Sequence, residues 1–173
     1  MYPKAFIEYL YQFHCERDYF ECHEILEEHW KEDPPEQRKT IWVGLIQVAV
    51  AFYHYRRQNF NGAKRMLNNA IKLIRQNKTE MESLGLEYPL LLSILEEQQL
   101  AIDNHNPYVS INLPIKSSDL KEKCLEYAKK KGKVWGVPSD LNNEFLLHKH
   151  KKRDRTEVIL ERKKQLTLRK KAK

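Results

Sequence analysis

The chain has 173 residues, 41% of them hydrophobic, with 31 Lys/Arg against 24 Asp/Glu and three cysteines. That length supports one substantial core. The odd cysteine count without a Cys-x-x-Cys pair argues against a disulfide framework and a cysteine-only zinc site, and no secretory leader pattern opens the chain. A cytoplasmic protein with reduced thiols is expected, and its net charge of +7 is unevenly spread: residues 1–115 carry 12 Lys/Arg against 16 Asp/Glu, 116–147 carry 7 against 5, and 148–173 carry 12 against 3. The expected organisation is a helical-bundle core over 1–115, an additional helix and connector over 116–147, and a basic tail over 148–173.

Taken in order, the first element is an amphipathic helix from Pro3 to about Arg17, because Phe6, Ile7, Leu10 and Phe13 recur at spacings of three and four. Asp18 followed by Glu21 has the form of a capping box, so a second helix is expected from Tyr19 to Lys31, ended by Asp33-Pro34-Pro35. A third helix is expected from near Glu36 to Arg57. It contains the apolar run from Ile41 to Tyr55, broken by Gln47 and His54. Lys39 and Arg56-Arg57 bound this run too closely for a bilayer span, which needs roughly 20 apolar residues, so it predicts a buried core helix. Asn61, in a turn with Gly62, is the expected N-cap of a fourth helix with the stripe Ala63, Leu67, Ala70, Ile71 and Ile74. After a loop containing Gly85, Pro89 opens a fifth helix. Residues 104–116, with two prolines and alternating apolar residues, predict an extended strap. Ser118 or Asp119 restarts helix as far as Gly132, Trp135 lies in a connector, and a solvated basic helix follows Phe145. The fold class is all-α, a bundle of about five to seven helices with a strap and a basic arm.

The polar residues on these helices carry the functional reading. Drawn at about 100 degrees per residue, the second helix places His23 and Glu27, one turn apart, inside the arc of Phe20, Cys22, Leu26 and Trp30, with Glu24 at its border. Gly44, Gln47, Ala51 and His54 form one strip on the third helix. Packing the two helices antiparallel brings His23, Glu27, Gln47 and His54 together, shielded from solvent. Polar groups in apolar faces are costly to bury unless partnered, so His23, Glu24, Glu27, Gln47, His54 and Trp30 are the candidate cluster.

The segment from Phe20 to Trp30, the segment from Gly44 to Ala51 continuing to His54, and Asn59-Phe60-Asn61-Gly62-Ala63 together resemble the bacterial family of uncharacterised helical-bundle proteins catalogued as domain of unknown function 309. The resemblance covers roughly Phe6 to Ile74. It implies an all-helical bundle and no agreed activity. Its relatives commonly have glycine before the position of Asn59, where this chain has Gln58.

The cluster supports a structural network, in which a histidine, glutamate and glutamine fix helix register, and two functional alternatives. One is a metal-assisted, hydrolase-like enzyme using His23, Glu27 and His54. Against it, His23 and His29 lack the spacing of the His-Glu-x-x-His zinc signature and no Glu-x-x-His di-iron pair is present, so no metal or cofactor is expected and no catalytic residue is assigned. The other is a small-molecule or peptide pocket walled by Trp30, Trp42, Tyr53 and Tyr55. Separately, Lys149, Lys151, Lys152, Arg153 and Arg155 begin an arm suited to nucleic acid, an acidic surface or a protein partner. It lacks interleaved aromatics for base stacking. His148 and His150 are expected to be solvated. The leading expectation is an interaction or binding module, with enzyme activity disfavoured by the absence of a nucleophile arrangement or phosphate-binding glycine loop.

Overall fold

A computed structural model describes residues 1–152, 163–164 and 166–168, the side chains of 151 and 152 excepted. Among the described residues there are nine α-helices and no strand: α1 (Lys4–Tyr11), α2 (Tyr19–Lys31), α3 (Thr40–Arg56), α4 (Phe60–Gln76), α5 (Lys78–Ser83), α6 (Tyr88–Asp103), α7 (Ser118–Lys130), α8 (Glu144–Leu147) and α9 (Lys149–Lys152). Arg153 and Arg155, and the side chains of Lys151 and Lys152, lie outside this description.

The helix α3 is the spine. Its apolar run gives it no polar face, so it must be covered on several sides: α4 packs on one flank and α2 on another. Contacts along α2 and α3 run in opposite order. Phe20 meets Tyr53 at one end and His29 meets Trp42 at the other, with ring centroids 6.0 and 4.9 Å apart. The two helices are therefore antiparallel. Around this centre, α1 packs on α2 and α7, and α6 packs on α4.

Several boundaries differ from those read in the sequence, each for a local reason. The first helix ends as a π-helix over Gln12–Glu16, closed by Arg17 at φ +54°. In place of helix from Glu36, a 3₁₀ turn spans Pro35–Gln37, and α3 starts at Thr40. The cap of α4 is Asn59, not Asn61: its Oδ1 accepts the Gly62 N–H at 3.1 Å, which places Asn61 inside the first turn. Similarly, Ser117 caps α7 in place of Ser118 or Asp119, and α5 fills part of the expected loop before Gly85. Gln58, at φ +66°, occupies a left-handed turn position that favours glycine.

The strap over 104–117 is extended, and its one β-type pairing among the described residues is an isolated bridge between Leu86 and Ile115. Two buried arginines and a buried histidine fasten it and the connector to the helices. Arg17, 2% exposed, donates to the carbonyls of Ile111 and Val137 and to Asn112 Oδ1. His14 donates from Nδ1 to the Leu10 carbonyl at 2.6 Å and accepts the Leu113 N–H on Nε2 at 2.9 Å, while Trp135 stacks on its ring. Burial foremost, with Arg17 nearby, pushes the His14 pKa down to about 3 against the hydrogen bond to the Leu10 carbonyl. Arg56 lies over the Tyr19 ring and donates to the Arg17 carbonyl and Ser139 Oγ.

Candidate functional site

Between antiparallel α2 and α3, beside Met66 of α4, lies a cavity of about 380 Å³. Phe20, Ile46, Val50, Tyr53 and Met66 supply most of its wall, with His23, Gln47, His54, Tyr19 and His150 completing it. The wall is apolar because its residues occupy the inner sides of amphipathic α2 and α4 and of the uniformly apolar α3. Three of the polar residues read in the sequence, His23, Gln47 and His54, therefore meet at one cavity.

Glu27 does not line it but is tied to it. Its Oε2 lies 2.7 Å from His23 Nε2 and its Oε1 2.8 Å from Lys31 Nζ. The Lys31 hydrogen bond leads the causes that hold the Glu27 carboxyl below its usual range, with His23 adding to it against partial burial. The pair is not shielded from solvent as expected. The His23 and Glu27 side chains retain 29% and 32% of their exposure, although both fall inside the apolar arc of α2. Salt bridges this open stabilise weakly.

The other end of the cavity is organised by Asn59. Its N–H donates to the His54 carbonyl at 2.8 Å, and its Nδ2 donates to His54 Nδ1 at 3.2 Å. Because Oδ1 of the same amide is held by Gly62, the orientation of the amide is fixed, and with it the His54 tautomer: Nδ1 accepts and Nε2 carries the proton. Gly62 belongs to the same device, since a Cβ there would sit 2.6 Å from Asn59 Nδ2. Burial foremost, then Arg57 and Arg65, lowers the His54 pKa. Gln47 Oε1 is buried with no hydrogen-bond partner among the described residues.

The remaining candidates sit elsewhere or play other parts. Trp30 is half-buried under the Arg38 guanidinium, 4.9 Å from the ring centroid. Trp42 packs against Phe6 and His29, and the Tyr55 hydroxyl donates to the Asn106 carbonyl at 2.8 Å. Of the four aromatics expected to wall a pocket, Tyr53 does so. Glu24 is half-buried beside the cluster without lining the cavity. Among the described residues no three His, Cys, Asp or Glu side chains converge as a group that could hold a metal ion: Glu27 pairs with His23 and Lys31, and His54 Nδ1 faces Asn59.

His150 is not solvated as expected. It packs on Phe20, bonds the Tyr53 hydroxyl, and places its ring nitrogens 2.9 and 3.1 Å from Arg57 Nη1. Next to it, Lys149 Nζ reaches Asp18 Oδ2 at 2.6 Å and Glu21 Oε2 at 3.5 Å. Burial pulls the Lys149 pKa down, but these carboxylates more than offset it and leave it raised. The arm thus begins as a lip of the cavity. No periodicity in the sequence announced this contact, nor the buried Arg17 and Arg56, since a charged residue at the end of a helix reads as solvated.

These features define an all-α bundle with an apolar cavity between two antiparallel helices. Residues 6–66 match the family described as Domain of unknown function (DUF309), and the chain is 53% identical over 172 residues, covering 99% of both proteins, to "Uncharacterized protein YpuF" of Bacillus subtilis (strain 168). The chain belongs to the DUF309 family. No solved structure matches significantly. The family segment ends at Met66, so it includes α2, α3, Asn59, Gly62 and nearly all of the cavity wall, but not the His150 lip.

Proposed function

We propose that this chain is a cytoplasmic binding module whose ligand seat is the cavity between α2 and α3. The observation that carries the reading is an apolar cavity of about 380 Å³ with spare polar capacity on its wall. Ligand sites are typically concave, mostly apolar and fitted with a few oriented polar groups, and this volume falls in their usual range. A purely structural network would close its hydrogen bonds, as His14 and Arg17 do. The His54 Nε2–H and the Gln47 amide oxygen have no such closure among the described residues. Reduced thiols at Cys15, Cys22 and Cys124 support residence in the cytoplasm, and no helix among the described residues is long and apolar enough to cross a membrane.

The test is saturable binding of Nile red, a neutral apolar dye, to the full chain and to Val50→Trp. Val50 is half-buried on the cavity wall, so indole there fills the space while leaving the core alone. Dye binding that disappears in Val50→Trp with the melting temperature held supports the seat. Equal binding by both chains rejects it.

A second reading concerns the arm, where 12 Lys/Arg against 3 Asp/Glu over 148–173 favour phosphate or an acidic protein surface. Lys149 is already committed to Asp18 and Glu21, so the remaining cations would carry that attraction. Retention on DNA that falls steeply with salt would support it, and absence of retention at low salt would dismiss it.

A further inference from the structure

The two helix faces that border the cavity differ in charge. On the α2 face the carboxylates already have partners: Glu27 pairs with Lys31 and with His23 Nε2, and Asp18 and Glu21 pair with Lys149. On the α3–α4 face the cations have no such match. Arg57 lies against the Tyr53 ring and the His150 ring nitrogens, Arg65 is exposed, and among the described residues neither has a carboxylate within ion-pair distance. Between them stands His54, which with Nδ1 taken by Asn59 can offer a ligand only its Nε2–H.

Resting on the reading of the cavity as a ligand seat, we infer that its ligand is an amphiphilic anion, an apolar body ending in a carboxylate. The body lies along Phe20, Ile46, Val50 and Met66. The carboxylate sits at the His54 end, accepting the Nε2–H bond in the field of Arg57 and Arg65. A hydrogen bond to a charged group is stronger than a neutral one, and a half-buried site screens the attraction less than open water does. Burial together with Arg57 and Arg65 keeps His54 neutral more readily, so its contribution is an oriented donor and the arginines supply the charge. Asn59 is then a positioning residue: pinned by Gly62, it prevents the tautomer that would turn a lone pair on the ligand.

The experiment compares dansyl-labelled undecanoic acid, its methyl ester and dansyl-labelled undecylamine on the full chain, read by dansyl fluorescence. The acid is expected to bind about tenfold tighter than the ester, the ratio that one charge-assisted hydrogen bond provides, and the amine weakest. Arg65→Glu should erase the preference for the acid. Asn59→Ser keeps a capping oxygen but cannot reach His54, so the acid should weaken toward the ester while the ester is unchanged, a split that simple loss of fold would not produce. Equal binding of acid and ester, or a preference intact in Arg65→Glu, overturns the anion while leaving the cavity as a seat. Binding of none of the three overturns both.

Discussion

Two polar regions flank α2 and differ in how fully they are closed. On one side His14, Arg17 and Arg56 are buried, hold the strap and connector, and spend their donors and acceptors on backbone carbonyls, amides and serine or asparagine side chains, Arg56 Nε alone excepted. On the other, His23, Gln47 and His54 border a cavity with Glu27 behind His23; the His23–Glu27 pair stays partly open, and Gln47 Oε1 keeps hydrogen-bonding capacity in reserve. Buried groups whose bonds are closed fix a structure, whereas half-open groups around apolar space are placed to meet something else. Under the proposed function, the first region carries stability and the second recognition.

The largest effect should come from the closed region. Arg17→Leu leaves the Ile111 and Val137 carbonyls and Asn112 Oδ1 without their donor, and urea denaturation should show a loss of roughly 3–5 kcal/mol, since each orphaned buried acceptor costs about 1–3 kcal/mol. A loss below that of a typical surface substitution would remove the claim that Arg17 fastens the strap. Next comes acid sensitivity. The folded pKa of His14, about 3, lies below the ordinary histidine value of 6.5, so between these values the unfolded chain binds a proton that the folded chain refuses. Stability therefore falls as pH drops from about 6.5 to about 3, by an amount on the order of 4 kcal/mol. His14→Phe should show a shallower fall across that window, and parallel curves for the two chains would contradict the assignment.

Changes in the open region should be smaller in stability. Glu27→Gln is expected to cost less than about 1 kcal/mol because the His23 and Lys31 pairs are half-exposed, and a loss matching that of Arg17→Leu would erase the contrast between the two regions. Smallest, and of opposite sign, Gln58→Gly should stabilise by about 0.5–1 kcal/mol by relieving a left-handed residue. Thermal melts that show no gain would mean that the turn holds Gln58 without strain.

The helices were legible where a periodic apolar stripe forces one face inward: α2 with its Asp18 cap, α4, and α6 opened by Pro89. The meeting of His23, Gln47 and His54 followed from the same wheel arithmetic. Degree of burial did not, because the wheel gives direction and not depth, and the His23 and Glu27 side chains stay partly exposed. Asn59 was passed over for Asn61 because both are good caps two positions apart, and only the Gly62 N–H decides between them. Arg17, Arg56 and Lys149 were illegible for a different reason: their partners lie 39 to 131 residues away, and the partners of the two arginines are mostly backbone carbonyls, which every sequence contains.

The most direct measurement of the central claim is a titration of isotope-labelled chain with dodecanoate, followed by amide chemical shifts. Shifts confined to Phe20, Gln47, Val50, His54 and Met66 and their neighbours are the expected result, with His14, Arg17 and the strap unmoved. Shifts scattered over the surface, or centred on the closed region, would contradict the account.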